Sequence, residues 1–300
     1  MKAPALSELY VDYTSEVSGA LSDADARARK LFGEFGCFIA TGLIGSAELD
    51  PIRRDIGRLI SIKLEQLQLA KDDETGTSRF DDGFITLSRK DRAHAGVIYE
   101  ACRRLMPVHQ LAVNSRLVRL SKSLMGTDTV IACTLNAVRI DHAQEDKYLF
   151  PWHQDYPYIQ DSEDGVVYWI PLQDVNEKNG ALRIALGSNT SGVRPVRILD
   201  PQNRNRNGAR TIELADESIV NSFPQITVPM RTGDVLVLSS VLLHKSQPNL
   251  SDRTRWTVQV RHGNFEHPRA VSKDWPGGMI EGKGFEESHP EYVVNGAELR

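Results

Sequence analysis

His153-Gln154-Asp155 is the stretch of this chain whose residue types and spacing first suggest chemistry. In an extended backbone, side chains at i and i+2 project from one face, so an imidazole and a carboxylate here can meet one ion. Taken alone, the triplet is equally well a structural ion pair, because so short a motif recurs by chance. A third donor is His244, which ends the apolar run 235–243 that follows the Gly233-Asp234 turn. We read that run as a mostly buried strand terminating at the histidine. Two histidines and one carboxylate, with positions left open, make the facial triad used by non-haem Fe(II) oxygenases.

Farther along, Arg255 opens the alternating strand Arg255-Trp256-Thr257-Val258-Gln259-Val260, which puts Arg255, Thr257 and Gln259 on one face. Such a strand can place a guanidinium and a hydroxyl inside an otherwise apolar barrel. A guanidinium forks bidentately onto a carboxylate, so a dicarboxylate co-substrate is implied. Arg255 is expected to find its charge matched only by that co-substrate. Arg253 is the competing anchor, two residues nearer the turn at 249–251. The other histidines, His94, His109, His142, His262, His267 and His289, are read as structural or surface residues.

The elements that must hold these residues are legible in outline. Ser22 with Asp23 and Asp25 reads as an N-cap and acidic first turn, and Ala28, Leu31 and Phe32 recur at helical spacing up to Gly36. Cys37-Phe38-Ile39-Ala40 reads as a short strand, and 46 to 68 as a longer helix carrying Leu49, Ile52, Ile56, Leu59 and Ile62. Helical spacing returns over 89 to 106 and 108 to 125, with Pro107 as the break and Gly126 as the stop. From about 128 to 265, short β-branched runs such as Val166-Val167-Tyr168-Trp169-Ile170 alternate with Gly, Asn, Asp and Pro. Strands without intervening helices favour a closed double sheet over a parallel βαβ fold. The reading is one domain: a helical support region at 1–126, a β core at 127–265 and a surface tail at 266–300. The arginine-rich stretch 194–210, with Arg194, Arg197, Arg204, Arg206 and Arg210, reads as a long loop and a candidate substrate lid.

Composition narrows the function classes. The chain has 300 residues, 36 Lys+Arg against 40 Asp+Glu, and a formal net charge of −4. An acidic surplus argues against nucleic acid as a partner. At 40% hydrophobic and 25% charged residues, a sizeable core in a soluble globular protein is expected. The apolar run 235–243 is less than half the ~20 residues a membrane-spanning helix needs. Glu8, Asp12 and Glu16 interrupt the N-terminus before any signal-length apolar run, so export is not expected. Cys37, Cys102 and Cys133 are widely spaced and suggest neither a disulfide framework nor a zinc site. A cytoplasmic protein with reduced thiols is the expectation.

Several stretches together resemble the phytanoyl-CoA dioxygenase family of Fe(II)/2-oxoglutarate-dependent oxygenases. They are Trp152-His153-Gln154-Asp155, Trp169-Ile170-Pro171-Leu172 with Asp174, Asn179-Gly180-Ala181-Leu182, Gly187-Ser188, Gly233-Asp234, and His244 with Ser246, Asn249, Ser251 and Arg255. They occur in the family's order over about 150 to 260. The resemblance implies a double-stranded β-helix (jelly roll, cupin-like) barrel supported by helices. It implies that His153, Asp155 and His244 hold Fe(II), that Arg255 binds the distal carboxylate of 2-oxoglutarate, that Trp169 lies beside the co-substrate and that Tyr158 lies near the metal; Thr257, on the Arg255 face of its strand, is read as a second co-substrate contact. Leu186-Gly187-Ser188-Asn189 departs from the family's usual Pro-Gly-Ser-His, which bears on substrate rather than on metal.

The implied activity is oxidation of a small molecule by O2, most simply hydroxylation, coupled to conversion of 2-oxoglutarate to succinate and CO2. Halogenating relatives replace the carboxylate ligand by a small residue, so an intact Asp155 favours hydroxylation, desaturation or epimerisation. Nothing identifies a CoA-binding surface. The alternatives are a cupin-like metal oxygenase or isomerase that does not use 2-oxoglutarate, and a catalytically silent binding protein on the same barrel.

Overall fold

In the computed structural model, which describes residues 4–14, 23–70, 79–133, 137–199, 212–277 and 282–294, helix α1 (Asp23–Phe35) fills the span its acidic first turn and apolar spacing predict. The Ser22 cap lies outside the described residues. Helix α2 (Ser46–Gln66) turns Leu49, Ile52, Ile56, Ile60 and Leu64 inward at i, i+3, i+4 spacing. Where two long helices are expected over 89–125 there are three, α4 (Arg92–Cys102), α5 (Met106–Ala112) and α6 (Ser115–Met125), preceded by α3 (Phe84–Lys90). Local caps explain the difference. The Asp91 and Asn114 side chains accept from the Ala93 and Arg116 amides and start α4 and α6. Pro107 sits in the first turn of α5, where its missing N–H costs nothing, so it begins a helix rather than breaking one. Gly126, at φ +66°, stops α6 as expected.

The strands, in chain order, are β1 (Tyr10–Asp12), β2 (Cys37–Thr41), β3 (Val130–Ala132), β4 (Ala137–Asp141), β5 (Val166–Pro171), β6 (Leu182–Ala185), β7 (Val196–Ile198), β8 (Ile212–Leu214), β9 (Gln225–Val228), β10 (Val235–Ser239), β11 (His244–Lys245) and β12 (Arg255–Asn264). A large sheet runs β1-β2-β10-β5-β12, and the far edge of β12 is shared by β4 and β3. A small sheet runs β11-β6-β9, and β7 pairs with β8. This is the mainly β, helix-supported architecture expected. Among the described residues the backbone bridge His153–His244 ties the segment after β4 to the small sheet.

Alternation along β12 separates support from chemistry. Trp256, Val258, Val260 and His262 face the helices: Trp256 Nε1 donates to Asp81, and His262 Nε2 donates to the carbonyl of Ala112 in α5. Tyr168 on β5 likewise donates to the carbonyl of Leu117 in α6. The other parity, Arg255, Thr257, Gln259 and Arg261, points to the opposite face, and all but Gln259 are buried there.

Two segments depart from the reading of the sequence. Residues 194–210 contain strand β7, because Val196 and Ile198 pack with Tyr156 and Phe285 in a small apolar cluster. The proposed lid arginines Arg204, Arg206 and Arg210 lie outside the described residues. The C-terminal tail forms α8 (Pro268–Ser272) and α9 (Phe285–Ser288) beyond a short α7 (Tyr156–Ile159), and it buries Phe285 and His289 against Tyr156. His289 Nε2 lies 2.9 Å from the Tyr156 hydroxyl. No helix of the described residues is long and apolar enough to cross a membrane.

Candidate active site

The two histidines meet because their backbones pair. The His153 amide donates to the His244 carbonyl at 3.0 Å and the His244 amide to the His153 carbonyl at 3.1 Å. This differs from the expected single strand ending in His244. Strand β10 stops at Ser239, the Leu242 amide closes a turn onto the Ser239 carbonyl, and His244 opens β11 in the small sheet. Asp155 also departs from an extended triplet, with φ −73° and ψ −28° at the start of α7. Gln154 turns away and fastens the segment: its Nε2 donates to the Gly192 and Val241 carbonyls, and its Oε1 accepts from the Arg194 amide.

Each imidazole is oriented by its own chain. His153 Nδ1 donates to the Pro151 carbonyl at 2.8 Å and His244 Nδ1 to the Leu242 carbonyl at 3.0 Å, so both Nε2 lone pairs are free to bind. Asp155 Oδ1 lies 3.5 Å from His153 Nε2 and 3.8 Å from His244 Nε2. One donor atom from each residue fits within 4.8 Å, and all three residues are buried. Metal bonds of about 2.1 Å put adjacent ligand atoms about 3 Å apart, so this constellation can close on one ion. Electrostatics set the right charge states. Burial, then the neighbouring His153, pushes His244 down to about 4, leaving a neutral imidazole at pH 7. Burial alone would raise the Asp155 carboxyl, but the Arg261 guanidinium and both imidazoles outweigh it and hold it well below the usual carboxylate range.

Arg255 is fully buried on the same face, its guanidinium 5.7 Å from the centre of the Trp169 ring. Its charge is not left for a co-substrate alone, contrary to the expectation. Asp141 on β4, opposite Arg255 in the register, accepts from Nε at 3.2 Å and lies 2.7 Å from Nη2. Asp141 is shared: Arg139 donates to it through Nε at 2.9 Å and also reaches the Tyr148 carbonyl and the Ser246 hydroxyl. Two guanidiniums on one carboxylate leave one positive charge over. Polar atoms are left over with it. Arg255 Nη1, Thr257 Oγ1 and Trp169 Nε1 are buried with no hydrogen-bond partner among the described residues, and Nη2 meets Asp141 only as an ion pair out of hydrogen-bond alignment. Buried donors without acceptors are costly, and a carboxylate bound between them would satisfy them. Thr257 and Trp169 sit on neighbouring strands, since Thr257 pairs with Pro171 and Gln259 with Trp169.

Tyr158 lies beside His153: its ring is edge-on to His153 at 5.9 Å, and its hydroxyl donates to the Ile212 carbonyl. Phe150 completes that wall, 4.9 Å from His153, with the Arg139 guanidinium 5.1 Å over its ring. Arg253 is not in the site; it pairs with Asp81 and Asp82 near α3. Sequence reasoning missed Arg139, Asp141 and Arg261. Parity was the available signal, because Arg139 and Asp141 share a face of β4, and Arg261 follows Arg255, Thr257 and Gln259 on one face of β12.

Gly180 lets the loop close over the anchor. A Cβ there would stand 2.7 Å from the Gln247 carbonyl oxygen and 2.9 Å from Arg255 Nη1, at a φ of +88° that L residues disfavour. Gly180→Ala is therefore expected to displace the guanidinium and weaken 2-oxoglutarate binding by about 10-fold or more, about 1.4 kcal/mol, with metal binding unchanged. Isothermal titration of the Mn(II) protein with 2-oxoglutarate measures it, and unaltered affinity would show that the loop does not bear on the anchor.

The chain matches the phytanoyl-CoA dioxygenase (PhyH) family over residues 32–257. It is 35% identical over 111 residues to the 1-deoxypentalenic acid 11-beta-hydroxylase of Streptomyces arenae, a match covering 36% of this chain and 37% of that protein's length. The fold resembles EctD from S. alaskensis, solved with 2-oxoglutarate and 5-hydroxyectoine, with TM-score 0.53, 15% identity, and 84% and 80% of the two chains covered. It also resembles the epimerase SnoN, solved with Fe3+, alpha ketoglutarate and nogalamycin RO, with TM-score 0.53, 16% identity, and 80% and 84% covered.

Proposed function

The chain belongs to the phytanoyl-CoA dioxygenase family, and on that premise we propose that it is an Fe(II)- and 2-oxoglutarate-dependent dioxygenase that hydroxylates a small molecule with release of succinate and CO2. The observation that carries this reading is the pairing of two half-sites in one interior. One is a buried His153–Asp155–His244 donor set; the other is the buried Arg255 Nη groups, Thr257 hydroxyl and Trp169 indole N–H, which make no hydrogen bond among the described residues. A metal site alone would fit the oxygenase or isomerase that dispenses with 2-oxoglutarate. The Arg255 Nη donors left without a hydrogen-bond acceptor favour the 2-oxoglutarate reading.

In this reading His153 Nε2, His244 Nε2 and Asp155 Oδ1 hold Fe(II), which when bound supplies the Lewis acidity and redox chemistry that activate O2. The protein does the rest. Arg255 takes the distal carboxylate of 2-oxoglutarate, with Thr257 and Trp169 as further donors. Burial of the anchor excludes water and strengthens that contact. The backbone bridge keeps both imidazoles in register. Phe150, Tyr158 and Arg139 line the approach to His153; between the two arginines on Asp141, Arg139 is the more accessible, its side chain 17% accessible and that of Arg255 fully buried. An aromatic wall with a guanidinium above it suits a substrate with an apolar body and an acidic group, and the Streptomyces relative is named for an acid. Buried thiols at Cys37, Cys102 and Cys133 are compatible with a reducing, cytoplasmic setting.

The test is anaerobic addition of Fe(II) and 2-oxoglutarate, followed by oxygenation with a panel of small carboxylic acids. The expected result is a visible charge-transfer band requiring both additions, then succinate release stimulated by the correct acid. A band-free mixture with no succinate would reject the reading.

A further inference from the structure

We propose that Arg261 is a positioning residue that confines Asp155 to one-oxygen coordination and so keeps open the metal position that O2 requires. The inference rests on the Fe(II)/2-oxoglutarate reading above and concerns a residue outside both half-sites. Arg261 lies on the same face of β12 as Arg255, at the other end of the strand, opposite Val167 of β5. Its Nε donates to Asp155 Oδ2 at 3.0 Å, and its Nη2 donates to Gln259 Oε1 at 2.6 Å. Arg261 and Asp155 are both buried. The guanidinium is thus braced at one end and clamps the carboxylate at the other.

The consequence concerns which oxygen faces the metal. Oδ1 is the atom that approaches both imidazole Nε2 atoms, at 3.5 and 3.8 Å, while Oδ2 is occupied by the arginine. A six-coordinate ion held by three protein atoms has three positions left. A 2-oxo acid chelating through two oxygens uses two of them, and one remains. Were Asp155 to chelate through both oxygens, that last position would be filled by protein. A carboxylate can bind a divalent cation through one oxygen or through both, and engaging the second oxygen elsewhere favours the one-oxygen mode. The second oxygen's hydrogen bond to Arg261 supplies that engagement, as partners of metal-bound carboxylates do in general.

Arg261→Met removes the clamp with similar bulk, Arg261→Lys keeps the charge without the fork, and Gln259→Leu removes only the brace. The readout is the number of exchangeable waters on Mn(II) in the protein without substrates, from water proton relaxation. The wild type is expected to carry three, and Arg261→Met two, a fall of about one third. Mn(II) affinity in Arg261→Met should be equal to wild type or tighter, because a neighbouring cation is lost and a metal–oxygen bond gained. With Fe(II), succinate kcat should drop by at least about 10-fold while KM for 2-oxoglutarate moves less than about 3-fold. Arg261→Lys and Gln259→Leu should fall between, and serve if the methionine variant fails to fold. Three waters retained in all variants, or parallel loss of Mn(II) binding and thermal stability, would make Arg261 a structural ion pair and overturn the proposal. If wild-type Mn(II) protein loses no waters on adding 2-oxoglutarate, the co-substrate reading fails and the proposal with it.

Discussion

Replacing Arg255 by methionine is expected to weaken 2-oxoglutarate binding by between about 30-fold and several thousand-fold. Removing one partner of a buried, hydrogen-bonded charge pair costs roughly 2–5 kcal/mol, and each 1.4 kcal/mol is about a factor of ten. The fold should tolerate the change, because Asp141 keeps Arg139 as its counter-ion. Arg255→Lys should fall between wild type and methionine, since an ammonium keeps the charge but cannot engage Asp141 and the co-substrate as a planar fork. Metal affinity should be unchanged in both. Arg253→Met is the internal control: it releases Asp81 and Asp82 near α3 and should lower thermal stability without affecting the co-substrate. Titration of the anaerobic Fe(II) charge-transfer band in the four proteins decides. Unchanged affinity in Arg255→Met, with a large loss in Arg253→Met, would move the anchor to Arg253; no loss in either would remove the main argument for 2-oxoglutarate.

His153→Ala, Asp155→Ala and His244→Ala are each expected to abolish turnover and to weaken metal binding by more than about 100-fold, since loss of a partner one shell farther out already costs 10–100-fold. Their effects on the fold should differ. The histidine variants keep the backbone bridge, which needs no side chain. Asp155→Ala removes the carboxylate that accepts from Arg261 Nε, and breaking a buried pair from one side costs about 3–5 kcal/mol. A drop in melting temperature confined to the aspartate variant is therefore expected, and Asp155→Asn, which can still accept from Arg261 Nε, should recover part of it. Mn(II) titration with thermal melts measures both quantities. Any alanine variant that retains near wild-type metal affinity loses its place in the triad.

The donor set was legible because chemistry restricts it to a few residue types. His153, Asp155, His244 and Arg255 could be picked out from identity and spacing, and the helix α1 and strand β2 from periodicity, an acidic first turn and Gly36. The backbone path between them was not legible in the same way. The apolar run 235–243 reads as one strand, yet the chain turns after Ser239 and delivers His244 to a different sheet; hydrophobicity records burial and does not say which sheet receives a segment. The helix boundaries at Asp91 and Asn114 were missed because a cap is one side-chain hydrogen bond and barely alters the apolar pattern.

By itself, then, the sequence determined the inventory: a mainly β chain with helical support, a two-histidine, one-carboxylate donor set, and an arginine on an alternating strand, because each follows from residue type and local period. Only the tertiary structure decided the charge environment. Asp141 reaches Arg255 across 114 positions through the β4–β12 pairing, and Arg261 reaches Asp155 across 106 between β12 and the start of α7, contacts that local periodicity does not encode. Those contacts match part of the charge on Arg255, leave its Nη donors without acceptors, and turn one oxygen of Asp155 toward the two imidazole Nε2 atoms.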